Sequence, residues 1–244
     1  VVAVGAHRDE DLGPNSGSVY LFNAPTGVQT DKLLPSDGLE DGFFGGSVAM
    51  ANGVVVVGSI GDGDDGNDSG AAYLFDTSTG FQIAKLLPSD GAQFDGFGFS
   101  VAISNGMVAV GARSADSNGG NSGSAYLFDA STGAQVAKLL PSDGAANDRF
   151  GWSIGINNGT VAVGAMWDDG ATSTSGSAYV FTAPSLCAAD LTEPFGGVLN
   201  LQDVFAYIAL FNAQDPAADL AAPLGILNLQ DVFAYLALFN AGCP

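Results

Sequence analysis

One segment returns every 53 residues without insertion or deletion, and this register limits the fold more than any single residue does. Val2-Ala3-Val4-Gly5-Ala6 reappears as VVVGS at 55–59 and as VAVGA at 108–112 and 161–165. Tyr20-Leu21-Phe22 reappears from Tyr73, Tyr126 and Tyr179. A repeat of this period is one supersecondary unit that cannot bury its apolar face alone, so neighbouring units stack into a propeller, solenoid or array. Such chains bind or build more often than they catalyse.

Each full period carries four strand signals separated by turn chemistry. In the third copy they read FGFSVAIS, MVAVGA, GSAYLFD and AQVAKLLP. Asn-Gly joins the first two at Asn52-Gly53, Asn105-Gly106 and Asn158-Gly159. This dipeptide favours a type I′ hairpin, in which both central residues need positive φ. A Thr-Gly turn joins strands three and four at Thr79-Gly80 and Thr132-Gly133, shortened to Pro25-Thr26-Gly27 in the first copy. The fold expected is mainly β, with propeller-type blades of four antiparallel strands. Lys32, Lys85 and Lys138 recur on the fourth strand, as expected of an outer edge guarded against pairing with other chains. The chain opens on the second strand of one blade and reaches the third strand of the fourth, about fourteen strands or 3.5 blades. Three completions follow: blades upstream, closure as a four-bladed ring, or an open end finished by a neighbouring chain.

FGGSVAMANGVVVVGS (44–59), FGFSVAISNGMVAVGA (97–112) and FGWSIGINNGTVAVGA (150–165), each followed by Ser-Gly-x-Ala-Tyr or a close variant, resemble the FG-GAP repeats of integrin-type β-propellers and bacterial surface proteins. The resemblance covers residues 1–181. It implies an extracellular propeller that meets protein or glycan partners. Integrin blades carry a DxDxDG-like calcium loop between their first two strands. Here that connection is only the Asn-Gly hairpin, so the integrin calcium site does not carry over.

Charge points to cations by another route. The chain has 26 acids against six Lys plus Arg, a net charge of −20, which opposes binding to nucleic acid or anionic membrane. All but Glu10, Glu40 and Glu193 of the acids are Asp, a residue of turns and oxygen-rich calcium loops. They concentrate in two connections. Between strands two and three lie Asp9, Asp11, Asp62, Asp64, Asp65, Asp68, Asp116, Asp168 and Asp169. In the link between blades lie Asp37, Asp90 and Asp143, followed by Asp95 and Asp148. Both connections leave an antiparallel blade at the same edge, so their carboxylates are expected to line one face. There they either hold calcium or make Asp-Gly turns with side-chain hydrogen bonds and no metal.

After residue 184 the composition changes, dividing the chain into a repeat region, 1–184, and a second module, 185–244. GVLNLQDVFAYIALFNA at 197–213 returns as GILNLQDVFAYLALFNA at 225–241. Apolar residues at helical spacing (Leu201, Val204, Phe205, Ile208 and Phe211 in the first copy) predict two amphipathic helices capped by Asn200 and Asn228. The module resembles a dockerin, a degenerate EF-hand pair, of planctomycete type. That resemblance implies attachment or self-assembly more than calcium binding, because the early ligand positions hold Pro194, Gly196, Ala222 and Leu224. Cys187 and Cys243 bracket it as an expected disulfide, worth about 4 kcal/mol in the chain-entropy model, which places the protein in an oxidising extracellular setting.

No apolar run approaches the ~20 residues of a membrane helix. The first residues are already strand-like, so any export signal is expected upstream or removed. Catalysis has little to stand on, with a single histidine, His7, and no nucleophile paired with a base. The expected function is a non-enzymatic secreted cell-surface or matrix protein, calcium-stabilised and self-associating. The alternatives are a lectin-like adhesion propeller, with Trp152 and Trp167 as glycan candidates, and an appendage of a larger secreted enzyme.

Overall fold

The computed structural model describes residues 1–169 and 174–184. Fourteen strands form four antiparallel sheets. The first holds β1 (Val2–Ala6), β2 (Ser18–Phe22) and β3 (Gln29–Leu33). The second holds β4 (Phe44–Ala51), β5 (Val54–Ser59), β6 (Ala71–Asp76) and β7 (Gln82–Leu86). The third holds β8 (Phe97–Ser104), β9 (Met107–Ala112), β10 (Ser124–Asp129) and β11 (Gln135–Leu139). The fourth holds β12 (Phe150–Asn157), β13 (Thr160–Ala165) and β14 (Ser177–Thr182). Each is a meander whose strands pair in chain order. Val1–Phe181 forms a compact unit, and no helix occurs among the described residues. Cys187, Cys243 and the expected helical pair lie outside them.

The Asn-Gly hairpins form as the sequence predicts. Asn52 and Gly53 have φ of 50° and 81°, Asn105 and Gly106 49° and 78°, Asn158 and Gly159 46° and 74°, the left-handed pair a type I′ turn demands. That turn fixes the register, pairing Ser104 with Met107 and Val101 with Val110. In this register alternate side chains point to opposite faces of each sheet.

Both faces of the middle sheets are buried, because each sheet packs between two others. Val19, Leu21 and Leu33 of the first sheet cluster with Phe44, Val55, Val57, Tyr73 and Phe75 of the second. The opposite face of the second, Val56, Leu74 and Leu86, clusters with Phe97, Val108, Val110, Tyr126 and Phe128 of the third. The leading Phe of each sheet meets two rings of its own sheet edge-on: Phe44 lies 5.5 Å from Tyr73 and 5.7 Å from Phe75, and Phe97 and Phe150 repeat this. Each fully buried side chain of this size stabilises the fold by about 2–3 kcal/mol.

Two features set the spacing between sheets. A Cβ on Gly5, Gly58 or Gly111 would run into the carbonyl oxygen of Gly45, Gly98 or Gly151 on the next sheet, so these positions need glycine for close backbone approach. The Ser47 hydroxyl then donates to Gly98 O at 2.7 Å, and the Ser100 hydroxyl to Gly151 O at 2.8 Å. The Phe-Gly strand of one sheet thus plugs into a Gly-Ser socket on the sheet before it.

Candidate functional site

The acidic connections converge as expected, and the residue at their centre is a lysine. In the second repeat, Tyr73 on β6 pairs across the sheet with Lys85 on β7. The Tyr73 hydroxyl lies 2.7 Å from Asp62 and 2.9 Å from Asp37, able to donate to either. The Lys85 ammonium sits 2.8 Å from Asp37, 3.0 Å from Asp62 and 2.8 Å from Asp64, and 5.3 Å from the Tyr73 ring centroid. Asp62 and Asp64 come from the loop between strands two and three, Asp37 from the link between blades. Burial works against the Lys85 charge, but hydrogen bonds to Asp37, Asp64 and Asp62 outweigh it and raise its pKa. Burial also opposes ionisation of Asp37, and the Lys85 hydrogen bond overcomes it to lower that pKa. Burial and then Asp62 push the Tyr73 phenol far up, so it stays a proton donor.

The other repeats vary this arrangement. In the first, the Tyr20 and Ser18 hydroxyls donate to Asp9 at 2.6 and 2.7 Å, and Lys32 bridges Asp9 and Asp11. The hydrogen bond from Tyr20, followed by those from Ser18 and Lys32, lowers the Asp9 pKa. In the third, Ala115 and Ser117 stand where the second has Asp62 and Asp64. Lys138 pairs with Asp90 at 2.5 Å and donates to the Ser117 hydroxyl at 2.6 Å. In the fourth, the Tyr179 hydroxyl lies 2.6 Å from Asp168 and 2.9 Å from Asp143, with the Ser177 hydroxyl donating to Asp168 at 3.0 Å. The residue one period after Lys138 is Leu191, outside the described residues. Asp143, Asp148, Asp168 and Asp169 line a cleft of about 250 Å³ there.

The remaining acidic candidates do local work. Asp95 and Asp148, both buried, accept from the Ala92 and Ala145 N–H groups and close the turn before each Phe-Gly strand; burial raises the Asp95 pKa. Asp116 and Asp169 accept from the N–H groups of Asn121 and Thr174 within their own loops. Asp65 and Asp68 stay outside the lysine-centred cluster. Among the described residues no group of three or more His, Cys, Asp or Glu has the arrangement of a metal site. Where Lys32 and Lys85 are present, an ammonium already occupies the point where the carboxylates meet, and the set fits a divalent ion poorly.

The match that decides the family follows these elements. The FG-GAP repeat profile matches residues 28–75, 81–128 and 134–181, more than half of the chain. The chain belongs to the FG-GAP repeat family. Each matched FG-GAP unit runs from the outer strand of one sheet to the third strand of the next, so it crosses the socket between them. Lys32, Lys85 and Lys138 open these units, whereas Tyr73, Tyr126 and Tyr179 close them. Repeats of this family generally bind proteins or ligands and are typical of extracellular or surface proteins. No curated protein matches the chain. Among solved structures it is similar to the computationally designed Ika4 protein, at 16% identity over 70% of this chain and 82% of that one, with a TM-score of 0.44. The designed Ika8 protein is similar at 15% identity over 73% and 41%, with a TM-score of 0.43. Likeness at this level carries no argument. Among the described residues no helix is long and apolar enough to cross a membrane.

Lys32, Lys85 and Lys138 are cluster residues that sequence reading undervalued. Their fixed place on an outer strand suggested edge protection, yet their heads lie inside the acidic clusters. The available signal was the constant spacing from Tyr to Lys, which places the two opposite each other across two antiparallel strands. Arg113 and Arg149 were also missed, because they occur in one repeat each.

Proposed function

We propose that this FG-GAP chain is a non-catalytic, secreted cell-surface or matrix protein that assembles head to tail through the open faces of its terminal sheets. The observation that carries this reading is the socket on the fourth sheet, which no other strand fills among the described residues. Ser153, Gly164 and Gly176 retain the residue types that hold the next Phe-Gly strand elsewhere, and with Trp152, Ala165 and Met166 among others they line an open cavity of about 520 Å³. Around it Val180 is 72% exposed, where its counterparts Leu74 and Leu127 are 0% exposed. The complementary face lies on the first sheet: Val2 and Val4 are 45% and 48% exposed, where Val55 and Val57 are buried. These two kinds of face already meet inside the chain, and a heterologous contact of that sort propagates into a ring or filament.

Sedimentation of the chain over a concentration series tests the reading. Mass that grows with concentration, and falls back to the monomer in Val180→Asp, is expected; a monomer at every concentration overturns it. The dockerin-like module at 185–244, with its Cys187–Cys243 disulfide, belongs to this reading as an attachment device. Calcium belongs to it at the fourth repeat, where Asp143, Asp148, Asp168 and Asp169 line one cleft. A second reading, a ligand-binding adhesion propeller, is favoured by the side-by-side packing of Trp152 and Trp167, whose ring centroids lie 6.4 Å apart at 29°.

A further inference from the structure

All three lysines pair with aspartates, but the half-buried Arg113 and Arg149 have no such partner. Arg113 follows β9 and Arg149 precedes β12. Neither makes an ion pair among the described residues, in a chain with 26 acids to choose from. The Arg113 guanidinium lies 3.8 Å from the Phe99 ring centroid and 4.9 Å from that of Trp152, with no hydrogen bond to a described residue. Arg149 lies 5.2 Å from the Trp167 ring and donates one N–H to the Ser114 hydroxyl at 2.6 Å, while its Nε is buried without a partner. Burial, and then the neighbouring charge of Arg149, lowers the Arg113 pKa. Guanidinium groups carry five donors each, so most donors of this pair have no protein acceptor.

Arg113 lines a cleft of about 310 Å³ together with Phe43, Ile60, Asp68, Phe94 and Phe99 among others, and Arg149 stands behind its wall, donating to the lining residue Ser114. We infer that this cleft binds a carboxylated sugar of the uronate class. The carboxylate takes the Arg113 donors in the bidentate geometry guanidinium favours. The aromatic walls stack against the C–H face of the ring, and Asp68 accepts from a hydroxyl. The volume suits one or two sugar units, at the lower end of the range of small-molecule sites.

This inference deepens the adhesion reading and is independent of assembly. Sedimentation reports one and ligand titration the other, so each can fail alone. The only two tryptophans in the chain, Trp152 and Trp167, both border the arginines, so their fluorescence reports the site directly. Titration with a galacturonate trisaccharide is expected to give a saturable change, while the neutral galactose trisaccharide gives none. Arg113→Gln should weaken binding at least tenfold, and Arg113→Lys should restore part of it. Asp68→Asn, a loop substitution away from the packed core, should weaken binding severalfold with an unchanged melting temperature. No saturable change with the galacturonate, equal binding of the neutral sugar, or full affinity in both Arg113→Gln and Asp68→Asn overturns the inference.

Discussion

At the residue scale, one lysine charge does different amounts of work depending on how dry its surroundings are. Lys85 and Asp62 keep 15% and 4% of their side-chain surface, whereas Lys32 and Asp11 keep 27% and 35%. Removing one partner of a buried pair strands the other charge away from water. Lys85→Met is therefore expected to cost about 3 kcal/mol and Lys32→Met far less, because water screens its exposed pair, measured by urea denaturation. The same groups set the pH response. Asp9, Asp37 and Asp90 have folded pKa values below their unfolded ones, so their contribution is complete above the unfolded range and lost as pH falls through the folded values. Lys32 and Lys85 are raised, so theirs is complete below the unfolded value and lost as pH rises through the folded one. Asp95, raised by burial, acts against the other aspartates, since its contribution is lost with rising pH. With four lowered aspartates, Asp76 among them, against Asp95 alone, the melting temperature should hold level from about pH 5 to 9 and fall below about pH 4 and above about pH 10, given unfolded values near 4 and 10.4. A monotonic rise from pH 3 to 9 would contradict this assignment.

At the element scale, the socket explains why identical residues matter in one sheet and not in another. Ser100 donates to the carbonyl of Gly151 across a sheet interface, whereas Ser153, its counterpart, is exposed. Ser100→Ala should cost about 1 kcal/mol and Ser153→Ala less than about 0.5 kcal/mol, compared by denaturant titration. Equal costs would argue against the socket. The fourth repeat also differs at its acidic cluster, where Asp143 and Asp168 meet around Tyr179 beside Asp148 and Asp169. If calcium takes part, a chelator should lower the melting temperature of the native chain and leave that of Asp168→Asn unchanged. An equal response in the two proteins would remove calcium from the fourth repeat.

At the scale of the whole molecule, the described chain is a row of four sheets with an apolar face uncovered at each end. An exposed Val180 beside an open Gly-Ser socket loses the ~1.5–3 kcal/mol that burying such a side chain supplies, and a second copy offers Val2 and Val4 to recover it. Cross-linking is the independent check. Cysteines placed at Val4 and Val180 should form a disulfide between chains under oxidation, and a product found only within one chain would point to ring closure.

Much of this was legible without coordinates, because it depends on local rules. The 53-residue period, the Asn-Gly hairpins and the alternation along Val108-Ala109-Val110 follow from backbone sterics and side-chain periodicity, which act within a few residues. The shared edge of the two acidic connections followed from antiparallel pairing alone. Sequence could not say what sits among the carboxylates. That depends on Lys85 reaching from β7 to Asp37, 48 residues away, a distance closed only when sheets stack. The cluster of Arg113, Arg149, Phe99 and Trp152 has the same origin: Phe99 and Trp152 are one period apart, but each arginine occurs in one repeat only, and only packing between the third and fourth sheets brings the four together. The repeat, by itself, determined the building block; the tertiary structure decided which charges are paired, which are left over, and which faces stay open.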